Sequence, residues 1–213
     1  MAVVVLDPRW PDMIPMGAVS RLESPISVTG EVPVSVRWSL SDLPTSESLT
    51  GWGTLLTTDP NSDEARRRIA RGESVYTVPS LDDKVQEAVD TMHNSRNRGA
   101  WEIGQTHESL LPYLEEEARE FADAVRTGAS DETLKKELGD VLLQVLFHAE
   151  IASRRGAFDF QDVAASFTEK MKSRAPYLFD GSTGIVSEKE QDRLWQEGKA
   201  RERKSSKEDQ KKN

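Results

Sequence analysis

The stretch "LKKELGDVLLQVLFHAEIA", residues 134–152, decides the fold, because the helix that it predicts carries apolar side chains on nearly every side. A helix without a polar face is normally buried against other elements. Two carboxylates, Glu137 and Asp140, nevertheless lie on it one turn apart. Burying carboxylates without a partner is costly or forces them to take up a proton. The sequence therefore predicts a mainly helical protein whose central helix needs something to neutralise two acids.

The preceding helix is crowded with acid. The stretch "YLEEEAREF", residues 113–121, holds four glutamates, and like charges one turn apart destabilise a helix. At about 100° per residue, Glu116, Glu117 and Glu120 share one flank of this helix. Glu117 borders the apolar face, so its side chain is expected to point toward packed protein. A cation beside this flank would remove the repulsion among the carboxylates.

The turn between the two helices places both sets of acids at the same height. It is predicted at "TGAS", residues 127–130. Glu117 and Glu120 lie about ten residues before its centre, roughly 15 Å away at ~1.5 Å per residue. Glu137 and Asp140 lie about ten residues after it, at the same distance. Four carboxylates then converge, and oxygen-only ligands favour Mg²⁺ or Mn²⁺. The spacing thus predicts a divalent metal site.

Other interpretations of these acids stay open. Acid-rich helix faces are commonly just solvated, and Lys136 can pair with Asp140 four residues later. A di-iron carboxylate bundle is a neighbouring possibility, but it uses two Glu-x-x-His elements. His148 has Val145 rather than a glutamate three residues before it. The matched acid pairs on two adjoining helices favour the metal site over a solvated face.

The rest of the chain divides into regions of different composition. Residues 1–79 hold eight of the ten prolines and predict a small α/β region with strands at "AVVVL", "VPVSVRW", "GTLLTT" and "SVYTVP" and a helix at 62–71. Residues 80–203 carry helix signals throughout, beginning with Ser80 as an N-cap. Residues 204–213, "KSSKEDQKKN", contain no apolar side chain and predict a disordered charged tail.

Composition excludes several classes of function. The chain has 213 residues and a formal net charge of −9, which argues against nucleic-acid binding because phosphate backbones are held by clustered lysine and arginine. It contains no cysteine, which excludes disulfides, thiolate zinc sites and cysteine nucleophiles. No apolar run approaches the ~20 residues of a membrane helix, and the opening "MAVVVLDP" is too short for the apolar part of a signal peptide. A cytoplasmic location is the expectation.

The order of motifs resembles a known family. "EEARE", then 16 residues, then "ELGD" is similar to the EExxE and ExxD signature of the MazG family of nucleoside triphosphate pyrophosphohydrolases. The likeness extends through "QTHESLLPYLEEEARE" and "GAFDFQDVAASFTEKMKSRAPYLF", and the first 80 residues look like the N-terminal segment of actinobacterial members. The resemblance implies a MazG-type all-α bundle as the catalytic domain, preceded by the small α/β region.

The resemblance also implies an activity and a set of site residues. Members hydrolyse nucleoside and deoxynucleoside triphosphates between the α- and β-phosphates, which gives a monophosphate and pyrophosphate and suits a house-cleaning role in the nucleotide pool. The family's metal ligands fall on the four carboxylates already identified. Its triphosphate and base contacts fall on Lys170, Arg174, Trp195 and Lys199. Lys136 is a further phosphate candidate, and Glu116 is the candidate that positions or deprotonates the attacking water.

Assembly and an alternative function complete the prediction. An almost wholly apolar helix is hard to bury with a few short helices, so a homodimer or a larger homo-oligomer is expected. Family members are dimers of such bundles. The alternative is a non-catalytic regulatory or scaffold protein whose acid cluster holds a metal ion only for structure. The preferred nucleobase and the role of residues 1–79 stay open.

Overall fold

The structure, a computed structural model, describes residues 1–40 and 52–209, with side chains through residue 204. The chain divides into two compact units between Glu87 and Ala88. The first unit is a small α/β fold and the second is helical, as the sequence predicts. Among the described residues, no helix is both long enough and apolar enough to cross a membrane.

The first unit is built on a parallel sheet of four strands. The strands are β1 (Ala2–Val5), β2 (Ile26–Val28), β3 (Thr54–Thr57) and β4 (Ser74–Thr77), in the spatial order β2-β3-β1-β4. Its described residues also form the short helices α1 (Met16–Val19), α2 (Val34–Ser39) and α3 (Asp63–Ala70). Val4 and Leu56 pack with α1 and α2 on one face of the sheet. Val3 and Leu55 pack with α3 on the other.

The prediction of a strand at "VPVSVRW" is wrong, because part of this stretch forms α2. Val32, Val36 and Leu40 are all buried, and their spacing of four residues places them on one side of a helix. The intervening Val34 and Trp38 are exposed. Over so few residues, an apolar residue at every second position satisfies the periods of a strand and of a helix alike.

Two buried ion pairs lie at opposite ends of this sheet. Asp7 follows β1 and is 1% exposed, and Arg9 donates to its carboxylate at 2.7 Å. This guanidinium holds the pKa of Asp7 at about 2. Arg68 is fully buried at the end of the sheet where the strands begin. It pairs there with Glu73 at 2.8 Å and donates to the Gly53 carbonyl at 2.6 Å.

The helical part of the chain follows a short 3-10 helix at Pro79–Asp82. Its helices are α4 (Lys84–Arg98), α5 (Ala100–Gly104), α6 (Leu111–Arg126), α7 (Asp131–Ser153), α8 (Phe160–Arg174) and α9 (Glu188–Asp209), with a second 3-10 turn at Pro176–Leu178. Asp83, rather than the predicted Ser80, caps α4, because its carboxylate accepts the N–H groups of Val85 and Gln86.

The predicted charged tail differs in part from the structure. Helix α9 continues through Asp209, so residues 204–209 are helical rather than disordered. Extending an existing helix costs little once its first turn has formed, and this stretch contains neither glycine nor proline. The remainder of the predicted tail, residues 210–213, lies outside the described residues.

Helices α6 and α7 form the hairpin that the sequence predicts. Gly128 ends α6 with a φ of +65°, a conformation that glycine adopts without strain. Ser130 then caps α7 by accepting the N–H of Thr133. The core beside this hairpin consists of Met92, Leu110, Leu146, Phe147 and Ile151. It covers the C-terminal half of α7.

The N-terminal half of α7 is less buried than its composition predicts. Leu138 is 51% exposed, and Leu142 and Leu143 are also exposed. Helix α6 covers only one flank of this part of α7, and the core beside the hairpin begins further along the helix. An apolar surface therefore remains open on the chain.

Candidate functional site

Three of the predicted metal ligands come together between α6 and α7. Glu117 and Glu120 from α6 and Glu137 from α7 each present an oxygen, and these oxygens all lie within 4.8 Å of one another. The site depends on the hairpin, since residues 127–130 return α7 alongside α6 at the predicted height. Glu137 is 9% exposed, and its Oε2 atom has no hydrogen-bond partner among the described residues.

The fourth predicted ligand, Asp140, lies beside this group rather than within it. Its Oδ2 atom accepts from Lys136 Nζ at 3.1 Å, and the same ammonium lies 3.3 Å from Glu137 Oε1. The pairing of Lys136 with Asp140, which the sequence analysis leaves open, is thus present. Lys136 is mostly exposed, so its side chain can swing away without disturbing the helix.

Electrostatics at the centre of the cluster favour a bound cation. Burial raises the pKa of Glu117, and the nearby charges of Asp140 and Glu120 raise this pKa further. A carboxylate in this position ionises less readily than one in water. A divalent ion would reverse this effect, and the all-oxygen set with one unpaired buried oxygen fits such an ion.

Glu116 stands at the edge of the cluster. It is exposed and lies 3.7 Å from Arg119 Nη2, a weak ion pair within α6. Its charge contributes to the raised pKa of Glu117, so the two carboxylates are close. Glu116 is therefore accessible to water on the same flank as the ligand oxygens.

The predicted basic and aromatic contacts form a second cluster, on α8 and α9. Arg174 pairs with Glu202 at 2.6 Å and its guanidinium lies 5.1 Å from the Trp195 ring centroid. Gly198 is buried here, and a Cβ atom at this position would lie 2.7 Å from the Ser173 carbonyl oxygen. The two helices therefore touch at Gly198, which holds Trp195 against Arg174.

The two predicted lysines of this region are less constrained. Lys170 Nζ lies 5.7 Å from the ring of Phe167 on its own helix, and Lys199 is half-buried on α9. Arg174 and Trp195 thus come together as the prediction requires. The guanidinium of Arg174 is already paired with the carboxylate of Glu202, a contact that the sequence pattern does not predict.

The structure also contains a pair of histidines, His107 and His148, whose contact was not predicted from the sequence. His107 Nδ1 and His148 Nδ1 are 2.8 Å apart, and the two rings are parallel to within 3°, with their centroids separated by 5.1 Å. Arg155 Nη2 lies 3.0 Å from the other ring nitrogen of His107. His148 and Gln144 lie on the face of α7 that carries Glu137, a regularity that a helical projection of the sequence reveals.

Comparisons with known proteins place two family domains along the chain. Residues 1–76 match the MazG N-terminal domain, and residues 105–179 match the MazG nucleotide pyrophosphohydrolase domain. The second range contains the helices that bear the carboxylate cluster and Arg174. The resemblance read from the sequence is thereby confirmed.

Individual relatives cover most of the chain. It is 40% identical over 208 residues to the nucleoside triphosphate pyrophosphohydrolase of Mycolicibacterium smegmatis, and this alignment covers 96% of the chain and 63% of the relative. It is 39% identical over 207 residues to that of Mycobacterium tuberculosis, with 95% and 63% covered.

A solved structure, that of a mazG-related protein from Thermotoga maritima, matches with a TM-score of 0.48 and 28% identity. This match covers 54% of this chain and 98% of that one. The chain spans less than two thirds of the length of the two mycobacterial relatives. With both domains present in order, the chain belongs to the MazG family and carries its nucleotide pyrophosphohydrolase domain.

Proposed function

We propose that this chain hydrolyses nucleoside and deoxynucleoside triphosphates between the α- and β-phosphates, with Mg²⁺ or Mn²⁺, and releases a monophosphate and pyrophosphate. The observation that carries the proposal is the meeting of Glu117, Glu120 and Glu137 within 4.8 Å between two helices. The names of the mycobacterial relatives support the substrate class. Removal of unwanted nucleotides from the pool is the cellular role that we propose for this reaction.

The residues present fit a divalent ion. Glu117, Glu120 and Glu137 would hold it, with Asp140 joining them once Lys136 releases its carboxylate. When bound, the ion would draw negative charge from the phosphates and so make the phosphorus easier to attack. The unpaired buried oxygen of Glu137 supports this assignment, because buried carboxylate oxygens normally have a partner.

The chain's own side chains supply the remaining steps. Lys136, once free of Asp140, can donate to a phosphate oxygen, and Lys170 and Arg174 would stabilise charge on the transferred group. To do so, Arg174 would release the carboxylate of Glu202 and donate its hydrogen bonds to the phosphate instead. Trp195 and Lys199 contribute further substrate contacts in this proposal. Glu116, exposed beside the cluster, would orient a water molecule and accept its proton.

We also propose that the chain acts as a homodimer or larger homo-oligomer. The leucines of α7 and Phe167 of α8 are exposed apolar side chains. Contiguous exposed apolar surface commonly marks a site of protein association. A second copy of the helical unit would bury them.

The test of the activity is direct. The chain is incubated with Mg²⁺ and a panel of nucleoside triphosphates, and monophosphate and pyrophosphate are measured. Asp140→Ala should reduce the rate by about 100-fold or more. Asp123→Ala removes an exposed acid of α6 that pairs with Arg126, and it serves as the matched control with an unchanged rate.

Two results would contradict the proposal. An Asp140→Ala variant with full activity would remove this carboxylate from the mechanism. Metal binding without hydrolysis of any nucleotide in the panel would favour the alternative, a non-catalytic regulatory or scaffold protein.

A further inference from the structure

A row of polar side chains continues along α7 away from the carboxylates. Glu137, Gln144 and His148 are separated by seven and four residues, so at about 100° per residue they lie within about 40° of one another. Gln144 lies about 10 Å along the helix from Glu137, and His148 about 16 Å. Both ends of the row face α6, because Glu137 meets Glu117 and His148 contacts His107, just before that helix.

Each member of this row has a buried polar atom without a partner. The atoms are Glu137 Oε2, Gln144 Oε1 and His148 Nε2, and none has a hydrogen bond among the described residues. Gln144 is only 4% exposed. Unpaired buried polar atoms are costly and therefore uncommon. A metal ion would satisfy Glu137, but it does not explain the two side chains further along.

Hydrogen bonding fixes which of these atoms donates. An arginine can only donate, so His107 Nε2 accepts from Arg155 and the proton of His107 sits on Nδ1. That proton is donated to His148 Nδ1, 2.8 Å away. The proton of His148 therefore sits on Nε2. Further along α7 from the carboxylates, two buried polar atoms thus have no partner among the described residues, the donor His148 Nε2–H and the acceptor Gln144 Oε1.

An aromatic surface stands at the same height on α6. Tyr113 lies four residues before Glu117 and thus on the same face of that helix. It precedes the turn by the same number of residues as Gln144 follows it. The Trp101 ring meets Tyr113 edge to face at 5.6 Å, and both side chains are 40% exposed or more. Aromatic rings with a few fixed polar groups are the usual lining of small-molecule sites.

We propose that Gln144 and His148 recognise the nucleoside half of the nucleotide, which lies along α6 and α7 with its base against Tyr113 and Trp101. This inference rests on the proposed function, because it places the phosphates at the carboxylates. Sugar and base then extend from the phosphates along the row. His107 and Arg155 are positioning residues, since they fix the proton of His148 on Nε2.

This assignment differs from one in which Trp195 alone stacks on the base. The Trp195 ring is covered by the guanidinium of Arg174, whereas the Tyr113 and Trp101 side chains are at least 40% exposed. The Gln144 and His148 atoms supply the hydrogen bonds that tell one nucleoside from another. A site with buried polar groups rejects ligands that leave them unpaired.

Binding measurements test the proposal independently of catalysis. The probes are non-hydrolysable α,β-methylene triphosphates of the four bases, as ribo and deoxy forms, with Mn²⁺ present, and inorganic tripolyphosphate as a probe without a nucleoside. In Gln144→Met and His148→Phe the ratio of affinities among the nucleosides should change by about tenfold or more. Tripolyphosphate affinity should stay unchanged. Gln161→Met, at an exposed position of α8, is the matched control.

The positioning role has its own readout. Arg155→Ala should move the affinity ratios in the same direction as His148→Phe, and Arg155→Lys should restore them, because lysine also only donates. If the core variants do not fold, Tyr113→Ala at its exposed position gives the test from α6, with a loss of affinity for nucleotides but not for tripolyphosphate.

Unchanged ratios in the folded variants, or equal losses for every probe including tripolyphosphate, would overturn the inference. So would a wild-type chain that binds none of the nucleotide probes. If the wild-type chain binds the nucleotide probes and the variants change its affinity ratios as expected, but it does not hydrolyse ordinary nucleotides, the proposed function fails and the nucleoside site stands.

Discussion

At the scale of single residues, two acids of the chain show pKa shifts of opposite direction. Asp7 has Arg9, and its pKa falls to about 2. Burial and the charges of neighbouring carboxylates raise the pKa of Glu117. Opposite shifts of two acids in one chain follow from their neighbours. The first arrangement stabilises the fold, and the second leaves the acids in need of a cation.

Divalent metal should therefore stabilise the chain. Mg²⁺ or Mn²⁺ at about 100 times its Kd should add about 2.7 kcal/mol to the free energy of unfolding, measured as a shift in the thermal midpoint. Glu137→Gln should remove this shift, and Glu132→Gln, an exposed acid of α7 paired with Lys135, should keep it. Because protons compete with the ion, metal affinity should fall as pH drops through the raised pKa of Glu117. An equal shift in all three proteins would place the metal elsewhere.

The pKa of Asp7 predicts how the stability of the first unit depends on pH. Its pKa is about 2 in the folded chain and 3.8 in an ordinary setting, so ionised Asp7 stabilises the first unit by about 2 kcal/mol at neutral pH. That stabilisation is complete above the ordinary pKa and is lost as pH falls toward 2. Asp7→Asn should remove it, which faster hydrogen exchange of the β1 amides at pH 7 would reveal.

The control for this prediction is Asp63→Asn, because Asp63 is exposed and pairs with Arg66 at 2.7 Å. It should leave exchange in β1 unchanged. Slow exchange in Asp7→Asn as well would mean that the ion pair with Arg9 contributes little.

At the scale of elements, the longer helices and the eight-residue α3 could be predicted from sequence, and the shortest elements could not. Apolar spacing and the turn at 127–130 locate α6 and α7 within a few residues. Five-residue α5 and three-residue β2 are too short to show a period, and α2 satisfies two periods at once. Their conformation is decided by what they pack against, which is distant in sequence.

Two glycines allow a test of helix packing. A methyl group at Gly198 would meet the backbone of α8 at 2.7 Å, whereas one at Gly139 meets nothing within 4 Å. Gly198→Ala should separate α8 from α9 and lower the free energy of unfolding by about 1–3 kcal/mol. Gly139→Ala should raise it by up to about 1 kcal/mol, since alanine is the better helix former. Urea unfolding followed by circular dichroism measures both, and equal effects would contradict the close contact.

At the scale of the whole molecule, the meeting of Glu117, Glu120 and Glu137 could be predicted from the sequence, and the contacts around them could not. The acids repeat along two consecutive helices, so chain spacing alone places them together. Glu202 reaches Arg174 across 28 residues, and His107 reaches His148 across 41. Such pairings depend on tertiary packing, which a single sequence does not reveal.

The exposed apolar side chains of α7 and α8 lead to a prediction about assembly. Leu142→Gln and Phe167→Gln replace exposed apolar side chains of α7 and α8, so they should weaken a homo-oligomer that buries this surface. Sedimentation at micromolar concentration should give at least a dimer for the wild-type chain and a smaller species for these variants. Ile185→Gln, at a fully exposed position, should sediment like wild type. A monomeric wild-type chain would contradict the proposed assembly.

The order of strands in the sheet has a consequence for how the chain acquires its structure. In strand β1, Ala2 pairs with Thr54 and with Ser74. The hydrogen bonds of β1 therefore require partners that are more than 50 residues away in the sequence. The α6 and α7 hairpin needs only a four-residue turn. Contacts between distant residues form slowly because a long loop must close first. During refolding, pulse-labelled amides of the hairpin should therefore gain protection before those of the sheet.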